Sequence, residues 1–160
     1  MKTIFLFIAI VLSVATKAQV SKVSLQASGL TCSMCSNSIN KALKTLDFVD
    51  KVDADIRTYT FEISFKPNSN VDFDKIKSKV EKAGFSVSSF VATILFNNVQ
   101  VRNNNPVTIG DKTFLFVKVK DQLLNGLKQV KVLDKGFVSQ KENKVYSFSA
   151  LSPQTFHATI

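Results

Sequence analysis

The chain is poor in the residues that cross-link proteins or carry most hydrolytic chemistry. Its 160 residues include 2 Cys, 1 His and no Trp. A bridge between two cysteines this close in the chain would close only a very short loop, so no disulfide framework holds the fold together. The sequence contains neither a glycine-rich phosphate loop nor a Ser/His/Asp constellation. We therefore expect stability to come from apolar burial, for which 45% hydrophobic residues, including 14 Phe, are sufficient.

Long hydrophobic runs are scarce, and the one at the N-terminus is short. Residues 1–18 combine Lys2, the apolar run Ile4–Leu12 and a small-residue segment that ends at Ala18, which is the layout of a signal peptide. The run is well below the roughly 20 apolar residues that cross a bilayer. The pattern predicts cleavage after Ala18, export to the periplasm or the exterior, and a mature chain of residues 19–160 that does not span a membrane.

The basic charge is concentrated in the second half of the mature chain. Residues 19–90 hold 10 Lys and Arg against 8 Asp and Glu, whereas residues 91–160 hold 9 against 4. A basic surface attracts nucleic acids, anionic membranes and acidic proteins alike. Export argues against nucleic acid as the partner, and the dispersed basic residues also fit a surface whose role is solubility.

Residues 19–90 are predicted to be an α+β domain with the order βαββαβ. Period-two alternation of apolar residues predicts strands over Val20–Ala27, Phe48–Asp55 and Thr58–Phe65, and a fourth strand that begins at Phe85. The second and third strands are expected to pair as a hairpin. This order is that of a ferredoxin-like sandwich.

Two amphipathic helices separate these strands. In the first, apolar residues recur at the spacing of one helical face, at Ile39, Ala42, Leu43 and Leu46. The second begins after Asp72, a favoured N-cap residue, and ends at Gly84, which stands where a C-cap glycine belongs.

Residues 91–160 are predicted to form a small antiparallel β domain of unknown role, either a sandwich or a barrel. Short alternating runs predict strands at Val91–Phe96, Thr113–Lys120, Leu127–Leu133, Lys144–Ala150 and Phe156–Ile160. Turns are predicted at residues 103–106, 109–111 and 125–126. No amphipathic helix is expected in this half.

The two cysteines, Cys32 and Cys35, lie between the first strand and the first helix. Two thiols at this spacing can reach one soft metal ion from a loop and the first helical turn. A helix N-terminus also favours the thiolate over the thiol. A CxxC pair by itself also serves thiol-disulfide exchange, or closes as a short disulfide. The spacing of the two cysteines does not distinguish metal binding from these alternatives.

Three features together resemble the heavy-metal-associated domain family: the segment Gly29–Cys35, the βαββαβ order and the segment Ala83–Phe85. That family includes copper metallochaperones and the N-terminal metal-binding modules of copper-exporting P-type ATPases. The resemblance covers about residues 20–90. It implies that Cys32 and Cys35 bind Cu(I) as two thiolates on an exposed loop.

Two positions in this segment depart from the family pattern. Leu30 stands where the family commonly has Met, and it is expected to pack beneath the loop. Thr31 supplies no carboxylate before the first cysteine, unlike zinc-preferring relatives, which favours Cu(I) over Zn(II). Ag(I) and Zn(II) remain alternative ions.

These observations predict an exported protein that captures a soft ion and hands it over, and that is not an enzyme. The expected acceptor is a metal-transporting membrane protein or an envelope metalloprotein. One alternative is a thiol-disulfide oxidoreductase, because an oxidising compartment converts unprotected thiols to a disulfide. Another is a protein-interaction module whose metal loop is vestigial.

Other residues with ligand or stacking chemistry are predicted to have structural roles. Met34 is a soft donor, but it is expected to be exposed or to pack on the loop. His157 is expected at the surface or edge of the last strand. The phenylalanines of the second half are expected in the core rather than on a platform for stacking bases.

Overall fold

The computed structural model describes residues 20–31, 33–149 and 152–160. The predicted signal peptide therefore lies outside the described residues. The fold is α+β, as predicted, and none of its described helices is long and apolar enough to cross a membrane. In chain order the elements are β1 (Val20–Ser28), α1 (Ser33–Lys44), β2 (Val49–Asp55), β3 (Thr60–Phe65), α2 (Phe73–Lys82), β4 (Ser86–Val101), β5 (Asn105–Ile109), β6 (Lys112–Phe116), β7 (Gln122–Val132), α3 (Gln140–Tyr146) and β8 (Thr155–Thr159).

The first six elements have the predicted ferredoxin-like topology. Their strands are antiparallel and lie in the order β2-β3-β1-β4, and the β2–β3 hairpin is confirmed. Alternate residues of β1, namely Val23, Leu25 and Ala27, are buried in the main core. We call the side of the sheet that these residues face, which α1 and α2 cover, the inner face.

The predicted boundaries of α2 are confirmed in atomic detail. The Asp72 carboxylate accepts a hydrogen bond of 3.0 Å from the Lys75 backbone N–H, which satisfies one of the unpaired donors at the start of a helix. After the helix, Gly84 adopts a φ of +91°. Its N–H donates to the Glu81 carbonyl, and the Phe85 N–H donates to the Val80 carbonyl. This is a Schellman ending, which favours glycine at the left-handed position.

Strand β4 is 16 residues long and belongs to both halves of the chain. It pairs with β1 as far as Ile94 and with β7 from Val91 to Val101. The separate strand predicted at Val91–Phe96 is therefore wrong, since those residues continue β4. The predicted boundary between residues 90 and 91 falls inside this strand, and the division into two domains stays a prediction.

All eight strands form one sheet, in the order β2-β3-β1-β4-β7-β8-β6-β5. The second half is not purely antiparallel, because β6 and β8 are parallel neighbours. Strand β5, which was not predicted, lies at the edge of the sheet. That position tolerates Pro106, which has no N–H to donate.

The strand predicted at Lys144–Ala150 is also wrong. Residues up to Tyr146 belong to α3, and Ala150 lies outside the described residues. The Ser139 hydroxyl accepts a hydrogen bond of 3.2 Å from the Glu142 N–H. Ser139 and Glu142 have the Ser-x-x-Glu spacing of a capping box. That local signal outweighs the strand-like alternation that follows it.

The turn predicted at Asn125–Gly126 lies instead within β7. Gly126 pairs with Phe96 across the sheet, and the register between β4 and β7 shifts between Phe96 and Val99. Positive φ angles at Asn98 (+50°) and Gly126 (+75°) accompany the shift. These residues therefore form a β-bulge, which uses the same residue types as a turn.

The main core joins the two halves through phenylalanine rings. The ring of Phe73 on α2 lies 4.8 Å from that of Phe90, 6.4 Å from that of Phe114 and 5.3 Å from that of Phe156. All four side chains are buried. The prediction that the phenylalanines of the second half form a core is confirmed for Phe114, Phe116, Phe137 and Phe156. Phe148 is only partly buried and packs against a separate, smaller cluster.

The described residues cover the opposite side of the sheet, which we call the outer face, only in part. A second cluster of Val117, Leu133 and Val138 packs there beneath Tyr146 of α3 and Phe148. Over β1, β2 and β3 the outer face is an open groove of about 620 Å³. Its carboxylates are those of Asp53, Asp55 and Glu62.

Candidate metal centre

The loop after β1 turns sharply at Gly29 and packs against the core. Gly29 has a φ of +87°, a conformation that favours glycine. A Cβ atom at this position would lie 4.0 Å from Cδ1 of Phe85. The next residue, Leu30, is buried in the main core, which confirms its predicted packing role. The loop is thus held close to the α2–β4 connection.

Helix α1 starts at Ser33 and carries Cys35 in its first turn, as predicted. Cys35 is half-buried and packs against the main core. Met34 is 78% exposed, which confirms the prediction that it is exposed. Cys32 lies outside the described residues, so the proposed pairing of its thiol with that of Cys35 stays a prediction.

Three connections meet at the end of the sheet where Cys35 lies. The Ala27 N–H, near the end of β1, donates to the Tyr59 carbonyl in the β2–β3 turn over 3.0 Å. Ser28 pairs with Ser86 at the start of β4, which brings the α2–β4 connection alongside. Tyr59 and Phe85 both pack against the main core. The loop after β1, the β2–β3 turn and the α2–β4 connection therefore lie at the same end of the sheet.

The surroundings of Cys35 offer few hard ligands. Helix α1 contains no Asp or Glu, and its basic residues, Lys41 and Lys44, lie in its last turn. Within residues 20–31, 33–149 and 152–160, no group of three or more His, Cys, Asp or Glu side chains is arranged to hold a metal ion. A site at this place would depend on sulfur ligands, which select soft ions.

Ser36 is a residue at this site that sequence reasoning missed. Its side chain is buried, and its hydroxyl has no hydrogen-bond partner in the part of the chain that the structure describes. Its burial could have been predicted from the sequence, because Ser36 lies three residues before Ile39 and therefore on the apolar stripe of α1. A buried hydroxyl without a partner destabilises the folded state.

We expect Ser36→Ala to raise the free energy of unfolding by about 1 kcal/mol, because it removes this hydroxyl and introduces a better helix former. Urea denaturation monitored by circular dichroism measures the change. Ser38→Ala is the matched control, since the exposed Ser38 hydroxyl donates to the Met34 carbonyl. Destabilisation by Ser36→Ala would contradict the expectation.

His157 lies in the second half of the sheet, and the prediction that it sits at the surface is wrong. It is buried on the outer face, where the ring of Phe148 stacks on it at 4.1 Å. Its Nδ1 atom lies 2.7 Å from Oδ1 of Asp134, and its backbone N–H donates to Oδ2. His157 follows Phe156 in β8 and therefore faces the opposite side of the sheet, where Phe148 in the segment after α3 covers it.

Burial raises the pKa of the Asp134 carboxyl, although hydrogen bonds from His157 partly oppose the shift. The folded state therefore binds this proton more tightly than the unfolded state. The resulting stabilisation is complete below the unfolded pKa of about 4 and is lost as the pH rises through the higher folded pKa.

Asp134→Asn should remove this contribution to the pH dependence of stability, since the amide does not ionise. We expect the free energy of unfolding of the wild type, relative to that of the variant, to fall as the pH rises above about 4. Urea midpoints measured across the acidic and neutral range test this. If the difference in unfolding free energy between the wild type and the variant does not vary with pH, the expectation is contradicted.

Comparison with known proteins agrees with this geometry. A family model described as the heavy-metal-associated domain matches residues 24–86. A probable copper-transporting ATPase of Arabidopsis thaliana is 38% identical over 69 residues, which are 43% of this chain and 7% of that protein. A probable copper-exporting P-type ATPase of Archaeoglobus fulgidus is 33% identical over 76 residues, or 48% of this chain and 9% of that protein.

The solved structures similar to this chain include the yeast copper transporter domain Ccc2a. It is 33% identical, the match covers 42% of this chain and 90% of that one, and the TM-score is 0.37. The chain spans only a small fraction of the curated relatives, 7% and 9% of their lengths. Through residues 24–86, this chain belongs to the heavy-metal-associated domain family.

Proposed function

We propose that this protein is exported and that it captures a soft metal ion, Cu(I), through the thiolates of Cys32 and Cys35 and hands it to an acceptor. The observation that carries the proposal is the position of Cys35 in the first turn of α1, within a heavy-metal-associated domain. The similarity to copper-transporting ATPases supports Cu(I) as the ion.

The open position of the site supports transfer rather than storage. Strand β7 pairs with β4 only from Val91 onward, whereas the loop of the site lies beside Ser86 at the other end of β4. Residues of the second half therefore extend the sheet away from Cys35. An incoming protein can approach the metal loop without displacing them.

Transfer needs only exchange of ligands. The two thiolates hold Cu(I) in a nearly linear arrangement, and a thiolate of the acceptor adds to the ion as a third ligand. One Cu–S bond to this protein then breaks, and a second thiolate of the acceptor replaces the remaining one. The ion stays Cu(I) throughout, so no electron moves, and we propose that the protein is not an enzyme.

Export is proposed from the sequence of residues 1–18. These residues combine Lys2, an apolar run and a small-residue segment, which is the layout of a signal peptide. Removal of residues 1–18 would delete no described strand or helix. In an oxidising compartment the bound ion would also protect the thiol pair.

The proposal is tested by an anaerobic titration of the reduced mature chain with Cu(I) against a competing chelator. The sample should be isolated from its host, with mass spectrometry showing whether it begins at Gln19. Binding of one Cu(I) per chain in competition with the chelator supports the proposal. Failure to compete would contradict it and would favour thiol exchange as the role of the pair.

A further inference from the structure

One short segment packs over the outer face of the second half. It consists of residues 139–148, which are Ser139, helix α3 and the two residues after α3, and we call it the strap. None of the 7 residues of α3 is buried. Tyr146 and Phe148 of the strap nevertheless pack against the second, smaller apolar cluster. The strap therefore covers apolar side chains while it buries little of itself, as expected of a segment that opens more easily than the core.

The end of the strap is held by stacked rings and one backbone hydrogen bond. Phe148 lies flat on the His157 imidazole, with 4.1 Å between the ring centroids and 6° between the planes. The Lys135 N–H donates to the Phe148 carbonyl over 3.0 Å. Tyr146 stacks on Phe148 at 6.0 Å, and the Lys118 ammonium lies 4.5 Å from the Tyr146 centroid. Closure of the strap is thus linked to the His157 ring.

The contact between Phe148 and His157 lies directly over a buried ionisable pair. Asp134 is 1% exposed, and both of its carboxylate oxygens contact His157, one at Nδ1 and the other at the backbone N–H. The pair is neutral overall when it holds one titratable proton, whether the carboxyl is neutral or the imidazole is positive. Loss of that proton leaves a net negative charge, and an uncompensated charge buried in the fold is destabilising.

The surroundings of the pair do not compensate such a charge. The other ionisable side chains on the elements packed around it are those of Asp74, Lys77, Lys118, Lys131, Lys135, Glu142 and Tyr146. Lys77 pairs with Asp74 at 3.0 Å, and Lys131 pairs with Glu142. Among the described residues, none of the seven forms a hydrogen bond or ion pair with the Asp134 carboxylate. Burial raises the pKa of Asp134, His157 opposes the shift, and the Asp74 charge adds to it.

We propose that the strap is a pH-sensitive cover, which is closed while the Asp134–His157 pair holds a proton and opens as the pH rises and the pair becomes negative. Opening separates Phe148 from His157 and lets water reach the carboxylate, which offsets the lost ring stacking. It also uncovers the second apolar cluster. The sheet stays folded, because no residue of the strap belongs to the main core.

The direction of the change follows from proton linkage. The closed strap keeps the pair from water, so the closed state binds the shared proton more tightly than the open state does. Acid therefore favours closure. The stabilisation of the closed strap is lost as the pH rises through the pKa of the closed pair.

The test is amide hydrogen exchange of the mature chain, read by NMR at about pH 5 and about pH 8.5 and corrected for the intrinsic pH dependence of exchange. The probes are the amides of Lys135, Asn143 and Ser147, whose hydrogen bonds involve strap residues. We expect their protection to fall by about tenfold or more at the higher pH, whereas that of β4 amides stays the same. Contacts between the His157 and Phe148 ring protons should weaken in parallel, and they are readily assigned because the chain has 1 His.

Asp134→Asn should remove this pH response, because the amide keeps hydrogen-bonding groups beside His157 but does not ionise. Phe148→Leu should lower the protection of the Lys135 amide at both pH values, because it removes the stacked ring. Glu142→Gln is the matched control. It removes the ion pair between the strap and Lys131 by the same acid-to-amide change, and it should keep the pH response of the wild type.

Three results would overturn the proposal. The first is equal protection of the strap amides at both pH values. The second is an Asp134→Asn protein that keeps the wild-type pH response. The third is a loss of protection in β4 equal to that in the strap, which would mean unfolding of the whole sheet. The first and third are measured on the wild type, so they decide the matter even if a variant fails to fold. Neither readout involves Cu(I).

Discussion

Replacing Cys32 and Cys35 together by alanine is expected to abolish tight Cu(I) binding. Cu(I) is a soft ion, and the surroundings of Cys35 supply no other group with the affinity of a thiolate. Helix α1 contains no carboxylate and no histidine. We expect affinity to fall by at least about a thousandfold, or about 4 kcal/mol of binding free energy. Anaerobic competition with a Cu(I) chelator measures the change.

Met34→Leu is the matched control for the loss of the thiols. Met34 has the only other soft side chain in the segment between Gly29 and α1's end, and it is 78% exposed. If the thiolates alone hold the ion, Met34→Leu binds Cu(I) as the wild type does. A large loss in this variant would make the thioether a third ligand. Retention of tight binding in the double cysteine variant would move the site elsewhere in the chain.

Phe73→Ala is expected to lower the free energy of unfolding by about 3–5 kcal/mol, the usual cost of deleting a buried phenyl ring. Phe73 is fully buried, and its ring contacts Phe90, Phe114 and Phe156. The cavity would open at the junction of the two halves of the chain. Because both halves share this core, we expect them to unfold in one transition that is shifted to lower urea.

Phe65→Ala is the matched control for Phe73→Ala, because the substitution is the same at a position that is only half-buried. Phe65 lies near the edge of the sheet and contacts Phe48 at 6.0 Å. Removing the Phe65 ring should therefore lower the free energy of unfolding by less than Phe73→Ala does. Two separate transitions in the Phe73→Ala protein would support the predicted domain boundary near residue 90. A single transition would instead show that residues 20–160 unfold as one unit.

Local patterns were sufficient to predict the candidate site as far as the structure describes it. The alternation in β1, the stripe that includes Ile39 and Leu43 in α1, and the cap at Asp72 are interactions within a few residues of sequence. Together they place Cys35 in the first turn of a helix that follows a buried strand. The buried hydroxyl of Ser36 could not be predicted, because its lack of a partner depends on what packs around α1.

In the second half, local signals often had two meanings. Asn and Gly at residues 125–126 suit a turn and a β-bulge equally, and only the pairing of Gly126 with Phe96 decides between them. Lys144 to Phe148 alternates like a strand, yet Ser139 starts a helix upstream. At Gly126, pairing with a distant strand therefore decided the structure. At Ser139, the N-cap that starts α3 was a local signal, and the sequence analysis missed it.

The sequence alone determined the βαββαβ order, the caps of α2 and the place of Cys35 in the first turn of α1, because these depend on side-chain period and on hydrogen bonds between near neighbours. The tertiary structure decided how the second half is used. It extended β4 through residue 90 into one eight-stranded sheet, and it buried His157 against Asp134. These outcomes depend on contacts between residues far apart in the chain, which no local pattern encodes.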